Sequence, residues 1–194
     1  MKTRFCSIII THFAMNKERS DMMRESINSL LNNTHFPFEL IVVDNGGSKE
    51  DSEWLLDLSQ SGHITVYLRN ANNMHFAFAR NQAFKLSHGQ YVCIADNDLL
   101  YADGWLTKCV EVLDTYPAKR IYTTPMEYPM RSLNDRYHNG YLTHNGVELE
   151  LNQRAGSNCF VIRREDYEEI GEFPIHRIGG SHWTNKAVRA AYLA

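Results

Sequence analysis

No apolar run in this 194-residue chain approaches the ~20 residues that a membrane-spanning helix needs. An excess of positive charge is missing too: 20 Lys and Arg stand against 23 Asp and Glu, for a net charge of -3 and a pI near 6.3. Nucleic-acid phosphates are neutralised by a basic face, so a general nucleic-acid binder is excluded. Cysteine is scarce. Cys6, Cys93, Cys109 and Cys159 are scattered, without a C-x-x-C pair, and three lie in apolar, strand-like surroundings. That pattern excludes a zinc site or a disulfide framework and reads as reduced core thiols of a cytoplasmic protein. The start, Met1 to Ile10, has basic residues before an apolar run, but the run is too short for a secretory signal and no small-residue cleavage site follows. Repeats, low-complexity tracts and linkers are absent, which implies a single domain. A G-x-G-x-x-G turn is absent as well: Thr11-His12-Phe13-Ala14 follows the first apolar run, and this excludes a nicotinamide dehydrogenase. Without a Gly-rich basic loop at that point, a triphosphate-using nucleotidyltransferase is disfavoured.

What is present is an alternation of strand and helix signals over the first two thirds of the chain, the pattern of an α/β sheet with crossover helices. Hydrophobic residues make up 43% and charged residues 22%, ordinary for a globular domain. Phe5–Thr11 reads as a strand. Met23, Ile27, Leu30 and Leu31 recur on one face of a helix from Glu18 to Asn33. Glu39–Asp44 is a second strand, Gly46-Gly47 a turn, and Ser48 a cap for a helix carrying Trp54, Leu55 and Leu58. Ile64–Leu68 is a third strand, followed by a helix with Phe76, Ala79, Ala83 and Phe84 on its apolar side. Asp103 is expected to cap a helix bearing Trp105, Leu106, Cys109, Val112 and Leu113. Arg120–Thr124 reads as a strand, Pro125 to about Arg154 as a long binding loop, Asn158–Arg163 as a strand, and Arg164–Ile170 as a short helix. A final Ala-rich helix capped by Thr184 is expected, and because no stop signal follows Leu193-Ala194 the chain is expected to be cut short.

The chemistry concentrates at Gln90-Tyr-Val-Cys-Ile-Ala-Asp-Asn-Asp98. Its uncharged first half reads as a strand buried on both faces of a parallel sheet, and its second half delivers Asp96 and Asp98 to the sheet's carboxyl edge, where ligands collect in open α/β folds. Two carboxylates one residue apart repel unless a cation lies beside them. Oxygen-only ligands suit Mg2+ or Mn2+, shared with the phosphates of a substrate. A solvated acidic turn is the plainer alternative.

Thr11-His12-Phe13, Asp44-Asn45-Gly46, Asn81-Gln82-Ala83 and Asp96-Asn97-Asp98 occur in one α/β domain, and with them the chain, from Ser7 to about Trp183, resembles the family-2 glycosyltransferases of GT-A fold. The resemblance implies a single Rossmann-type domain over 1–194, with a mainly parallel sheet flanked by helices, a nucleotide-binding half to about residue 100 and an acceptor half beyond. It implies an inverting, metal-dependent hexosyl transfer from a UDP-, GDP- or dTDP-sugar to a hydroxyl of a glycan, lipid-linked or protein acceptor, as in polysaccharide biosynthesis. A lipid-linked acceptor would bring the protein to a membrane surface. Thr11 and Phe13 would lie beside base and ribose, Asp44 would accept from the base imide, and Arg80 would face the diphosphate or the base. Asn72 belongs to the loop that sets donor choice. Asp96 would approach the ribose or the metal, and Asp98 would ligate Mn2+ or Mg2+. The same residues have structural readings: Asp44 as the cap of the Gly46-Gly47 turn, Arg80 as a solvated helix residue, Thr11 and Phe13 as ordinary strand-end residues.

In the family, a carboxylate after a Gly-Gly pair takes the acceptor proton; here the segment reads Gly179-Gly180-Ser181-His182-Trp183. His182 would be the base or a metal ligand, since imidazole can serve either role near neutral pH. The alternative is a nucleotide-sugar-binding relative that has lost the base. Glu165 and Asp166 read as surface charge, and His138, His144 and His176 are candidates to line an acceptor pocket.

Overall fold

The computed structural model of the chain describes residues 4–125, 138–152, 158–175 and 189–193. Four parallel strands form its centre: β1 (Cys6–His12), β2 (Phe38–Asp44), β3 (Val66–Arg69) and β4 (Tyr91–Ala95), in the order β3-β2-β1-β4. They are joined by α1 (Lys17–Asn33), α2 (Lys49–Gln60) and α3 (Phe76–Lys85). After α4 (Trp105–Thr115) come β5 (Ile121–Thr124), β6 (His138–His144), β7 (Val147–Asn152), β8 (Cys159–Arg163), α5 (Arg164–Ile170) and β9 (Arg189–Leu193). The sheet continues β4-β8-β5-β9-β7-β6.

Strand pleating divides the core in two, because successive side chains point to opposite faces. Cys6, Ile8, Ile10, Leu40, Val42, Cys93 and Ala95 pack with Met23, Ile27 and Leu30 of α1, Leu55 of α2 and Leu106 and Leu113 of α4. Ile9, Ile41, Val43, Val92 and Ile94 pack on the other side with Ala77, Ala79 and Ala83 of α3 and Tyr167 of α5. Helices on both faces explain why these strands read as unbroken apolar runs. The chain order reverses between β1 and β4, and the crevice at such a switch point is where open α/β sheets bind ligands.

Several sequence expectations hold. Ser48 caps α2, its Oγ accepting from the Asp51 amide at 3.1 Å. Gly89 lies where a Cβ would come within 2.5 Å of the Ser7 backbone nitrogen, so glycine is required for the chain to enter β4 beside β1.

Others are corrected. β4 is parallel to β1 but antiparallel to β8, so its setting is mixed. The segment expected to be one long loop carries a β6–β7 hairpin, turning at Asn145 and Gly146, both with positive φ. In place of the terminal helix, residues 189–193 form β9, parallel to β5 and antiparallel to β7; alanine's helix preference yields to two ready-made strand edges. Thr184 lies outside the described residues. Asp103 does not cap α4: Gly104 precedes the helix without a side-chain cap, and Asp103 bonds His35 at 2.5 Å. Asp166 is buried against Arg163 at 3.1 Å instead of lying at the surface.

Candidate active site

The pleat that sorts the core also sorts the first two residues after β4. Asp96 falls on the α3 side, where Arg80 Nη2 donates to its Oδ1 at 2.6 Å. Asn97 falls on the opposite side, its Nδ2 at 2.9 Å from His12 Nδ1. Asp98 accepts from Arg19 Nη1 of α1 at 2.6 Å. Each residue of Asp96-Asn97-Asp98 is therefore tied to a different element.

Arg80 is buried, 3% exposed, which overturns its reading as a solvated helix residue. Its guanidinium lies over the rings of Phe76 and Phe173, at 5.0 and 5.5 Å from their centroids, and its Nε has no partner among the described residues. Burial depresses its pKa and Asp96 opposes the depression. Burial raises the Asp96 carboxyl above the ordinary aspartate range, Arg80 offsets part of this, and the Asp98 charge adds to it. That mutual repulsion is the electrostatic condition a cation would relieve.

Asp44 is wholly buried and its oxygens are occupied. Oδ1 accepts from the Gly47 amide at 2.7 Å; Oδ2 accepts from Ser52 Oγ at 2.5 Å and Tyr67 Oη at 3.0 Å, with Arg69 Nε at 3.6 Å. Burial and the Asp44 charge push the Tyr67 hydroxyl up to about 12, so it remains a donor at neutral pH. This geometry is the turn cap, and Oδ1, with a single donor among the described residues, keeps acceptor capacity. The turn is itself exacting. Gly46 has φ +88° and packs its Cα against the backbone of Asn72 and Asn73, which any Cβ would meet at 2.8 Å.

Thr11 is half-buried at the end of β1, and the Phe13 ring stands 41% exposed at the rim of the crevice. Asn72 is exposed on the loop that crosses Gly46. His182 and His176 lie outside the described residues, as does the side chain of His138. His144 is not at the site: it bonds Thr115 at 2.7 Å and packs edge-on to Tyr116.

Sequence reasoning missed two features. One is a carboxamide cluster, in which Asn45 Oδ1 accepts from Asn70 Nδ2 and the Met74 amide while Asn45 Nδ2 donates to Asn73 Oδ1. The other is His12, fully buried, with Nε2 at 3.2 Å from Asp51 Oδ2. Asp51 also accepts from Ser20 Oγ at 2.7 Å and Arg24 at 3.4 Å. Burial opposes its ionisation, but hydrogen bonds from Ser20, Ser48 and His12 outweigh that and hold its carboxyl below the ordinary aspartate range. Strand parity was the available signal: Thr11 and His12 must face opposite sides of the sheet.

The donor set for a metal is two carboxylates, a chemistry that suits Mg2+ or Mn2+. Among the described residues, Arg80 uses Oδ1 of Asp96 and Arg19 uses Oδ2 of Asp98, which leaves one oxygen of each for a cation. No group of three or more His, Cys, Asp or Glu converges among the described residues, so the other ligands would come from substrate phosphates and water.

The chain matches the model of glycosyl transferase family 2 over residues 7–171 and belongs to that family. It is 28% identical over 189 residues to the uncharacterised protein y4gI of Sinorhizobium fredii, covering 87% of this chain and 20% of that one. It is 24% identical over 198 residues to the glycosyltransferase AglE of Haloferax volcanii, covering 97% and 62%. The chain thus spans less than two thirds of either relative. Among solved structures, TarS of S. aureus superposes with a TM-score of 0.72 at 18% identity, over 98% of this chain and 35% of TarS. The mannosyltransferase PcManGT of Pyrobaculum calidifontis, in complex with GDP-Man and Mn2+, superposes with a TM-score of 0.71 at 16% identity, over 95% and 53%. These likenesses show the shared GT-A fold.

Proposed function

We propose that the chain is the donor-binding and catalytic region of a glycosyltransferase that moves a hexose from a nucleoside-diphosphate sugar to an acceptor hydroxyl, with inversion. The observation that carries this reading is the junction of Asp96 and Asp98, two repelling carboxylates, with the β1 and β2 strand ends at the switch point of the sheet. TarS in complexes with UDP and UDP-GlcNAc, and PcManGT with GDP-Man, support a nucleotide-sugar donor of UDP or GDP type; a dTDP-sugar remains part of the proposal.

In this reading Asp98, aided by Asp96, would hold Mn2+ or Mg2+, whose positive charge would supply stabilisation for a departing diphosphate. Arg80 acts from beneath: its charge keeps Asp96 ionised and fixes its rotamer. Phe13, at the rim, offers a face to the base, and Thr11 a hydroxyl to base or ribose. Asp44 contributes by setting the Gly46-Gly47 turn against which the Asn72 loop closes. His182 takes the acceptor proton. The acceptor is a glycan, a lipid-linked molecule or a protein. No helix of the described residues is long and apolar enough to cross a membrane.

The test is donor hydrolysis. Incubated with Mn2+ and a panel of UDP-, GDP- and dTDP-sugars, the protein is expected to release nucleoside diphosphate from one donor class, with His182→Ala slower by about 10²-fold or more, the usual range for general-base removal. Release from no donor, in a protein that still binds the nucleotide, would overturn the enzyme in favour of a binding protein.

A further inference from the structure

Both ring nitrogens of His12 are committed, and the commitments fix what the ring is. Asp51, an ionised carboxylate, can only accept, so Nε2 carries the proton at 3.2 Å from Oδ2. In the neutral ring Nδ1 then offers a lone pair, which the Asn97 amide group meets at 2.9 Å. The ring is fully buried and fills the space under the Gly46-Gly47 turn: a Cβ on Gly47 would lie 3.0 Å from its Cδ2. Asp51 is held in turn by Ser20 and Arg24 of α1. One chain of contacts therefore runs from α1 through α2 and β1 to the residue between Asp96 and Asp98.

We infer that His12 is a positioning residue for the metal-binding carboxylates: Asp51 fixes its tautomer, and its Nδ1 holds Asn97 so that Asp96 and Asp98 present their oxygens together. This rests on the reading of Asp96 and Asp98 as metal ligands. His12 and Asp51 would touch neither cation nor donor. Their effect is transmitted by one carboxamide: anchoring the Asn97 side chain restrains the backbone rotation at Asn97 that would turn the peptide planes carrying both neighbours. Partners that orient metal ligands in this way typically alter affinity 10- to 100-fold when removed.

The experiment measures Mn2+ binding by electron paramagnetic resonance, without donor, in wild type and in His12→Phe, His12→Asn, Asn97→Ala, the His12→Phe/Asn97→Ala double variant and Asp98→Ala, with thermal unfolding of each. His12→Phe and Asn97→Ala are each expected to weaken Mn2+ about 10-fold or more. The double variant is expected to be no weaker than either single one, the signature of two residues acting through one contact. His12→Asn, which keeps an acceptor near the Nδ1 position, is expected to restore affinity to within about threefold of wild type, a rescue that packing alone does not explain. Should His12→Phe fail to fold, Asn97→Ala, at a half-buried position, carries the test. Asp98→Ala separates the two claims. If it abolishes Mn2+ binding while His12→Phe and Asn97→Ala bind as wild type, the positioning role is wrong and the metal site stands; if Asp98→Ala itself binds Mn2+ normally, the metal reading falls and the positioning role with it.

Discussion

Among the described residues buried charge is concentrated on a few side chains, of which Asp44, Asp51 and Arg80 meet partners distant in sequence and Asp166 meets Arg163 on the adjoining turn. Asp51 shows the consequence. Its carboxyl is held below the ordinary aspartate range in the folded state, against about 3.9 in an unfolded chain. A depressed folded-state pKa means stability that is fully present above the unfolded value and lost as pH falls through the folded one. Asp51→Asn is expected to cost about 1.5–3 kcal/mol at pH 7, the scale of hydrogen bonds to a charged group. The gap from wild type should narrow as pH drops from 5 toward 2, read by urea unfolding at each pH. A gap that stays constant over that range would show that ionisation of Asp51 contributes nothing. At this scale the sequence was legible where a residue type has one use. Asp96 and Asp98 were readable as paired carboxylates at a strand end. Arg80 and Asp44 were not, because an arginine on a helix and an aspartate before Gly-Gly each have two ordinary uses, and only the packing of Phe76 and Phe173, or of Ser52 and Tyr67, selects one.

Elements are placed by close backbone approaches and by polar ties along α1. The segment after Asp98 is laced to that helix: the Leu99 and Tyr101 amides donate to Ser26 and Ser29 hydroxyls at 3.2 and 2.9 Å, Asn33 Nδ2 donates to the Tyr101 carbonyl at 2.6 Å, and Trp105 Nε1 donates to Thr34 Oγ1 at 2.9 Å. At the other end of β4, Gly89 meets the Ser7 backbone, which cannot give way as a flexible side chain could. Gly89→Ala is expected to destabilise by about 1–3 kcal/mol, the usual cost of overpacking. Unchanged thermal unfolding would contradict the contact. Helices α1 to α3 and strands β1 to β4 were legible because their apolar spacing is long and regular. The hairpin and β9 were not read: in β7 Val147, Leu149 and Leu151 alternate with Glu148 and Glu150, a strand period that was overlooked, whereas β6 and β9 carry no such alternation and their strand state is imposed by neighbouring edges.

Across the whole molecule, two apolar layers pin a parallel sheet so that its carboxyl edge gathers residues distant in sequence, His12, Asp44, Arg80 and Asp96–Asp98 among them. That arrangement is the fold, and the chemistry proposed for the site rests on the carboxylates at its edge. Among the described residues Asp44 and Asp51 are wholly buried and bonded on both oxygens, whereas Asp96 and Asp98 are partly exposed and each has one oxygen without a described partner. The central claim is that those two carboxylates bind a divalent cation together with a nucleoside diphosphate. The most direct measurement is thermal unfolding with UDP or GDP, each with and without Mn2+, in wild type and Asp98→Ala. Ligand at a hundredfold its Kd stabilises by about 2.7 kcal/mol, enough to raise Tm by several degrees. Nucleotide and Mn2+ together are expected to raise the wild-type Tm by that order, and Asp98→Ala to lose most of the rise. An equal rise in Asp98→Ala, or one that does not require Mn2+, would contradict the account.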